Sequence, residues 1–185
     1  DAHALPFRND LEGIFDSIVC DPPYGIRAGG RKSGGREKTR GNYIPPDMKD
    51  GHIPSTGTYE LSECLLDLLD LSAKLLKLGG RLVYFFPSAN GIVLGDYLPT
   101  HPSLEVEHSS EQGLTCLWSR KLVTMRKCSP WDAEKARIHR QECLSEGAKL
   151  KQCDNLQDMV FKVLDSDEGA LAASANRGKY RGKRV

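Results

Sequence analysis

The sequence predicts an α/β fold in which two parallel strands, linked by a helical crossover, are finished by an antiparallel hairpin. Three observations predict it. Two short apolar runs, Ile14–Cys20 and Leu82–Phe86, are each stopped by proline. Between them, residues 58–78 carry the polar and apolar spacing of a helix. Strand, long connection with helix and strand make a parallel crossover unit. Beyond them lie Leu104–His108, which alternates apolar and polar residues, and Leu114–Lys127, joined through Glu111-Gln112-Gly113. A connection that short makes an antiparallel pair, and such a pair is an allowed edge for a parallel sheet.

The first run is mostly apolar and β-branched, which predicts a strand buried on both faces. Gly29–Gly41 follows, rich in Gly, Arg and Lys without apolar periodicity, and turn residues continue to Gly57. The whole stretch reads as a flexible loop. In the helical segment, Glu60, Glu63, Asp67, Asp70, Lys74 and Lys77 recur three or four apart as one polar stripe. Leu61, Leu65, Leu68, Leu69, Leu75 and Leu76 face elsewhere, towards a core. Acids at the start and lysines at the end suit the helix dipole. Thr58 is the expected N-cap and Gly79-Gly80 the expected stop. Residues 131–164 read as a charged helical extension, and 169–185 as a small, polar, basic tail expected to be disordered. The organisation is therefore 1–127, 128–168 and 169–185.

The net charge is +1 over 185 residues, so any nucleic-acid-binding surface must be local. No apolar run approaches the length of a membrane span. The six cysteines form no C-x-x-C pair and read as reduced, buried thiols of an intracellular protein. The five histidines lack metal-ligand spacing and are assigned no chemistry. The opening residues, beginning at Asp1, read as the interior of a longer polypeptide.

Chemistry is expected at Asp21-Pro22-Pro23-Tyr24, directly after the first strand. Ligands of open α/β sheets bind at the carboxyl ends of strands. Consecutive prolines have fixed φ and no N–H, so they hold a rigid turn whose carbonyls can face a pocket. The Asp21 carboxylate and the Pro22 carbonyl can accept both hydrogens of an NH2 group and so aim its lone pair at an electrophile. Tyr24 offers a flat face for an extruded base, and stacking of this kind contributes about 1–3 kcal/mol per base. Arg27, Arg31, Lys32, Arg36, Lys38 and Arg40 surround the loop downstream, opposed only by Glu37, and are candidate contacts to nucleic-acid phosphates. A second basic cluster, Arg177 to Arg184, serves equally as an RNA-attracting or a solubilising tail. Tyr84 and Phe85 read as core residues, and Trp118 as packing in the hairpin.

Asp-Pro-Pro-Tyr after a strand resembles the catalytic motif of class I amino-methyltransferases, which act on adenine N6, glutamine N5 or guanine N2. The longer blocks Phe15–Arg27, Leu78–Tyr84, His101-Pro102 and Ser119–Met125 are similar to the eukaryotic tRNA guanosine-N2 methyltransferase catalytic subunits that modify the tenth nucleotide, in the D-arm. The similarity runs from Asp1 to Lys127. It implies the later part of a Rossmann-like class I methyltransferase sheet, with the first strands and the Gly-rich cofactor loop outside this chain. It implies methyl transfer from S-adenosylmethionine to guanine N2, with Asp21, Pro22, Pro23 and Tyr24 catalytic. Asp1 and Asp21 are the implied cofactor contacts. Implied partners are tRNA and a small zinc-binding activator subunit, in the cytoplasm or nucleus. Two alternatives stay open: an adenine-N6 or glutamine-N5 methyltransferase, against whose glutamine form Asp21 argues, and an inactive or merely RNA-binding piece.

Overall fold

The computed structural model describes residues 11–24, 30–33, 56–89, 97–114 and 118–156. Strands β1 (Phe15–Cys20), β2 (Gly30–Ser33) and β3 (Thr56–Tyr59) come first, then helix α1 (Leu61–Leu75) and strand β4 (Leu76–Ala89). Strands β5 (Leu104–Gly113) and β6 (Trp118–Lys127) follow, then helix α2 (Ala133–Cys143) and a 3-10 helix, Lys149–Asn155. The main sheet has the order β1-β4-β6-β5. β1 runs parallel to β4, whereas β4–β6 and β5–β6 are antiparallel. The mixed α/β sheet expected from the sequence is thus present.

One face of the sheet holds the core. Leu82, Tyr84 and Phe86 of β4 and Val123 and Met125 of β6 alternate inward and pack with Leu65 and Leu69 of α1. All are essentially removed from water. Period-two alternation on the strands meets period-3.6 spacing on the helix, which is why these residues share one layer.

Details depart from expectation for physical reasons. β1 is not buried on both faces. Among the described residues it pairs on one side only, with β4, and Val19 is 75% exposed. The presumed loop after the motif begins as a strand: β2 pairs antiparallel with β3 in a separate ribbon. Thr58 belongs to β3 opposite Arg31, so it does not cap α1. The N-cap is Glu60, without a side-chain capping bond. The helix start is instead satisfied by Asp154, whose carboxylate accepts from Ser62 N and Ser62 Oγ, both at 2.7 Å. A carboxylate is well placed there, against the positive end of the helix dipole.

The helix ends at Leu75, before the glycine pair, and Gly79-Gly80 lies within β4. Gly79 has φ +81°, and a Cβ on Gly80 would stand 3.0 Å from the Asp16 carbonyl. The pair therefore allows the close, register-shifted start of β1 against β4. The hairpin turn is also displaced. Glu111, Gln112 and Gly113 are strand residues paired with Lys121, Arg120 and Ser119, and Leu114 N bonds Trp118 O at 2.9 Å.

The polar stripe of α1 is a docking rail for the ribbon and the carboxyl-terminal extension. Glu63 pairs with Lys32 of β2 at 2.6 Å. Asp67 accepts from Tyr59 of β3 and pairs with Arg140 of α2. Asp70 accepts from Trp131 Nε1 at 2.7 Å and faces His101 Nε2 at 3.4 Å. His101 is buried, and its Nδ1 accepts from Ser103 N, which leaves Nε2 as the proton-bearing nitrogen towards Asp70. The extension beyond residue 128 is thus welded to α1, with Leu150 and Cys153 joining the same core. Cys153 is buried but Cys128 is exposed, so the thiols do not share one environment. Among the described residues, no helix is long and apolar enough to cross a membrane, and no group of His, Cys, Asp and Glu is arranged to hold a metal ion.

Candidate active site

Asp21, Pro22, Pro23 and Tyr24 extend from the carboxyl end of β1, immediately beyond its pairing of Cys20 with Tyr84. Asp21 is exposed and Tyr24 half-buried. The Tyr24 hydroxyl donates to Asp21 Oδ1 at 2.6 Å. That bond fixes the carboxylate rotamer and leaves acceptor capacity on both oxygens. Burial, then the Asp21 bond, raises the Tyr24 pKa, while Arg120 acts the other way. The phenol therefore stays protonated and keeps donating near neutral pH. Beneath the motif, burial pushes the Cys20 thiol up to about 11, with Cys64 and Asp21 adding to it. Cys20 is a neutral thiol there, not a nucleophile.

The ribbon supports the motif from the side. Gly30 of β2 approaches so closely that a Cβ would stand 3.5 Å from Pro23 Cγ and 3.0 Å from the Tyr59 carbonyl. Lys32 holds the ribbon to α1 through Glu63 and lies 5.8 Å from the Tyr59 ring centroid. Of the basic loop, Arg31 and Lys32 fall on β2; Arg27, Arg36, Lys38 and Arg40 lie outside the described residues, as does Asp1. Lys32 is engaged with Glu63, a structural contact that its position in the sequence did not announce.

Arg120 was not singled out for chemistry from the sequence. It lies on β6 opposite Pro87 of β4 and Gln112 of β5. Its guanidinium sits 3.9 Å from the Phe85 ring centroid, and its Nε donates to Gln112 Oε1 at 2.8 Å. Its positive charge opposes, without outweighing, the upward shift that burial gives Tyr24. Phe85 is therefore more than filler. It is half-buried and turned away from α1, and it carries the arginine. The signal available in the sequence was the strand alternation, which puts Phe85 and Arg120 on the face opposite Phe86 and Ser119. Two clefts elsewhere, one of about 200 Å³ beside Asp70, His101 and Arg140 and one beside Thr100, His139 and Cys143, contain no motif residue.

No family model matches the chain. Curated relatives do. A tRNA (guanine(10)-N(2))-methyltransferase of Dictyostelium discoideum is 45% identical over 160 residues, which is 84% of this chain and 30% of the relative. The Homo sapiens protein of the same name is 40% identical over 119 residues, 64% of this chain and 26% of the relative. That of Xenopus laevis is 35% identical over 176 residues, 92% and 35% respectively. The chain thus spans about a third of the length of the relatives it matches.

Proposed function

The chain belongs to the tRNA (guanine(10)-N(2))-methyltransferase family, and we propose that it holds the acceptor amine for methyl transfer to N2 of the tenth guanosine of tRNA. The observation that carries this reading is the Asp21–Tyr24 turn at the carboxyl end of a parallel strand, with its carboxylate exposed and held in orientation by the Tyr24 hydroxyl. S-adenosylmethionine, when bound, supplies an electrophilic methyl group. The exposed Asp21 carboxylate suits a cationic neighbour of that kind, and Asp1 is the second proposed contact.

The chain's own residues then prepare the acceptor. Asp21 and the Pro22 carbonyl accept the two N2 hydrogens, which turns the nitrogen lone pair out of conjugation with the purine. Tyr24 gives the extruded base a face to stack on. The N2 proton becomes acidic only as the new N–C bond forms, so the Asp21 carboxylate suffices to take it. Alignment carries much of the acceleration. The loop arginines and lysines, Arg27, Arg31, Lys32, Arg36, Lys38 and Arg40, are proposed to steer the tRNA backbone through its phosphates. A small zinc-binding activator subunit is the proposed protein partner.

The test is a graft. The chain replaces the matching segment of the Dictyostelium discoideum relative, and the chimera is incubated with unmodified tRNA and S-adenosylmethionine, with and without the activator. Nucleoside mass spectrometry is expected to show N2-methylguanosine. A folded chimera that methylates adenine or a protein glutamine instead would overturn the reading in favour of another acceptor.

A further inference from the structure

The motif is not held by its own strand alone. Pro23 lies against the β2–β3 ribbon at Gly30, where an added Cβ would stand 3.5 Å from Pro23 Cγ and 3.0 Å from the Tyr59 carbonyl. Gly30 is paired across the ribbon with Tyr59. Residues directly opposite each other in a ribbon share a face. Gly30 and Tyr59 therefore stand on its inner face, whereas Arg31 and Thr58 are exposed on the outer one. Tyr59 is buried, and its hydroxyl donates to Asp67 Oδ2 of α1. The other oxygen of that carboxylate, Oδ1, accepts from Arg140 Nη1 of α2. Asp67 is thus held on both oxygens, by the ribbon on one and by the carboxyl-terminal extension on the other. Bonds to an ionised carboxylate are stronger than those between neutral groups. Burial, then the Asp67 bond, raises the Tyr59 pKa, so the phenol stays protonated and keeps donating.

We propose that Tyr59 is a positioning residue for the methyl transfer: anchored to α1 and α2 through Asp67, it seats the ribbon against Pro23 and so fixes where the Asp21 carboxylate and the Pro22 carbonyl stand. The inference rests on the proposed function and deepens it, because it makes the carboxyl-terminal extension part of the apparatus that aligns the acceptor amine. Alignment tolerates little error: a displacement of about 1 Å at a reacting centre can cost about a hundredfold in rate. Pro22 and Pro23 have no N–H, so the turn cannot be tied down through donors at those two positions. Packing from the side takes that role, and glycine at position 30 permits it where a Cβ would press on the ribbon and the turn together.

The experiment uses the same chimera with unmodified tRNA and saturating S-adenosylmethionine, at a temperature well below the melt of every variant. Tyr59→Phe removes one oxygen and keeps the ring. It is expected to lower kcat about fivefold or more, with KM for tRNA unchanged and the fold retained. Gly30→Ala, which crowds the ribbon against Tyr59 and Pro23, should lower kcat further. Arg140→Met releases the far side of Asp67 and should act in the same direction. It decides the matter if Tyr59→Phe fails to fold. Because both act through one carboxylate, the double variant should lose less than the product of the two single losses. Unchanged kcat in folded Tyr59→Phe and Arg140→Met overturns the proposal, even where the melting temperature falls, since that marks an ordinary stability contact. A rise in KM at constant kcat overturns it too, as a contact to tRNA would produce. So do losses that multiply in the double variant. A folded, unsubstituted chimera that forms no N2-methylguanosine would instead remove the proposed function on which the inference stands.

Discussion

The two faces of the sheet are opposites. On the α1 side, Leu82, Tyr84, Phe86 and Val123 are sealed beneath Leu65 and Leu69. On the other, Val19 is 75% exposed, Leu122 is exposed, and Phe85 carries an arginine. The difference teaches where stability and chemistry reside. The sealed face holds the fold, and its polar rim on α1 anchors the ribbon and the carboxyl-terminal extension. The other face carries Phe85 with Arg120 on it, and the carboxyl end of β1 carries the motif to which the chemistry is assigned in the proposal.

The largest expected contrast in stability sets Leu69→Ala against Val19→Ser. The first should cost about 2–5 kcal/mol in denaturant unfolding, because the site cannot collapse around the lost methyls. The second should change stability by under about 0.5 kcal/mol, as for ordinary surface positions. Equal costs would mean that the two faces are packed alike. Next comes Asp154→Ala. It strands the buried Ser62 N–H and hydroxyl at the start of α1, and urea melts should show a loss of about 1–3 kcal/mol. No loss would show that the extension is not a structural part of the domain.

A smaller effect is expected at Tyr84. Its hydroxyl is buried and has no hydrogen-bond partner among the described residues. Tyr84→Phe should therefore be neutral or raise stability by about 1 kcal/mol, and a clear loss would reveal a partner. The mildest effect is pH-dependent. Burial pushes Asp70 upward, but the bonds from His101 and Trp131 outweigh it and hold the carboxyl below its ordinary value. A depressed folded pKa stabilises the protein above the unfolded value, near 3.9. That contribution is lost as pH falls through the folded value. Melting temperature should drop on acidification below about pH 4–5, and Asp70→Asn should flatten that part of the profile.

The same contrast explains what was legible in the sequence. The strands around Ile18 and Leu82 and the helix between them were readable because apolar periodicity reports local structure. Whether a strand has a neighbour on each side is not local, so the apolar run through Val19 looked buried, whereas among the described residues it pairs with β4 alone. Thr58 looked like a cap because threonine favours caps, yet pairing with Arg31 drew it into a strand. The motif was legible because its members are contiguous. The setting of Arg120 was not, because it arises only when β6 folds back against β4 and brings the guanidinium to Phe85. The polar stripe of α1 was legible but its partners were not, since Lys32, Trp131 and Arg140 lie far away along the chain.

The central claim is that Asp21, fixed by Tyr24 at the carboxyl end of β1, holds the guanine amine. The most direct measurement is N2-methylguanosine formed on tRNA by the chimera carrying Asp21→Ala, with its thermal melt recorded in parallel. The account predicts a loss of at least about a hundredfold in the methylated nucleoside, with the melt unchanged because Asp21 is exposed. Methylation at the unsubstituted rate from the folded variant would contradict it.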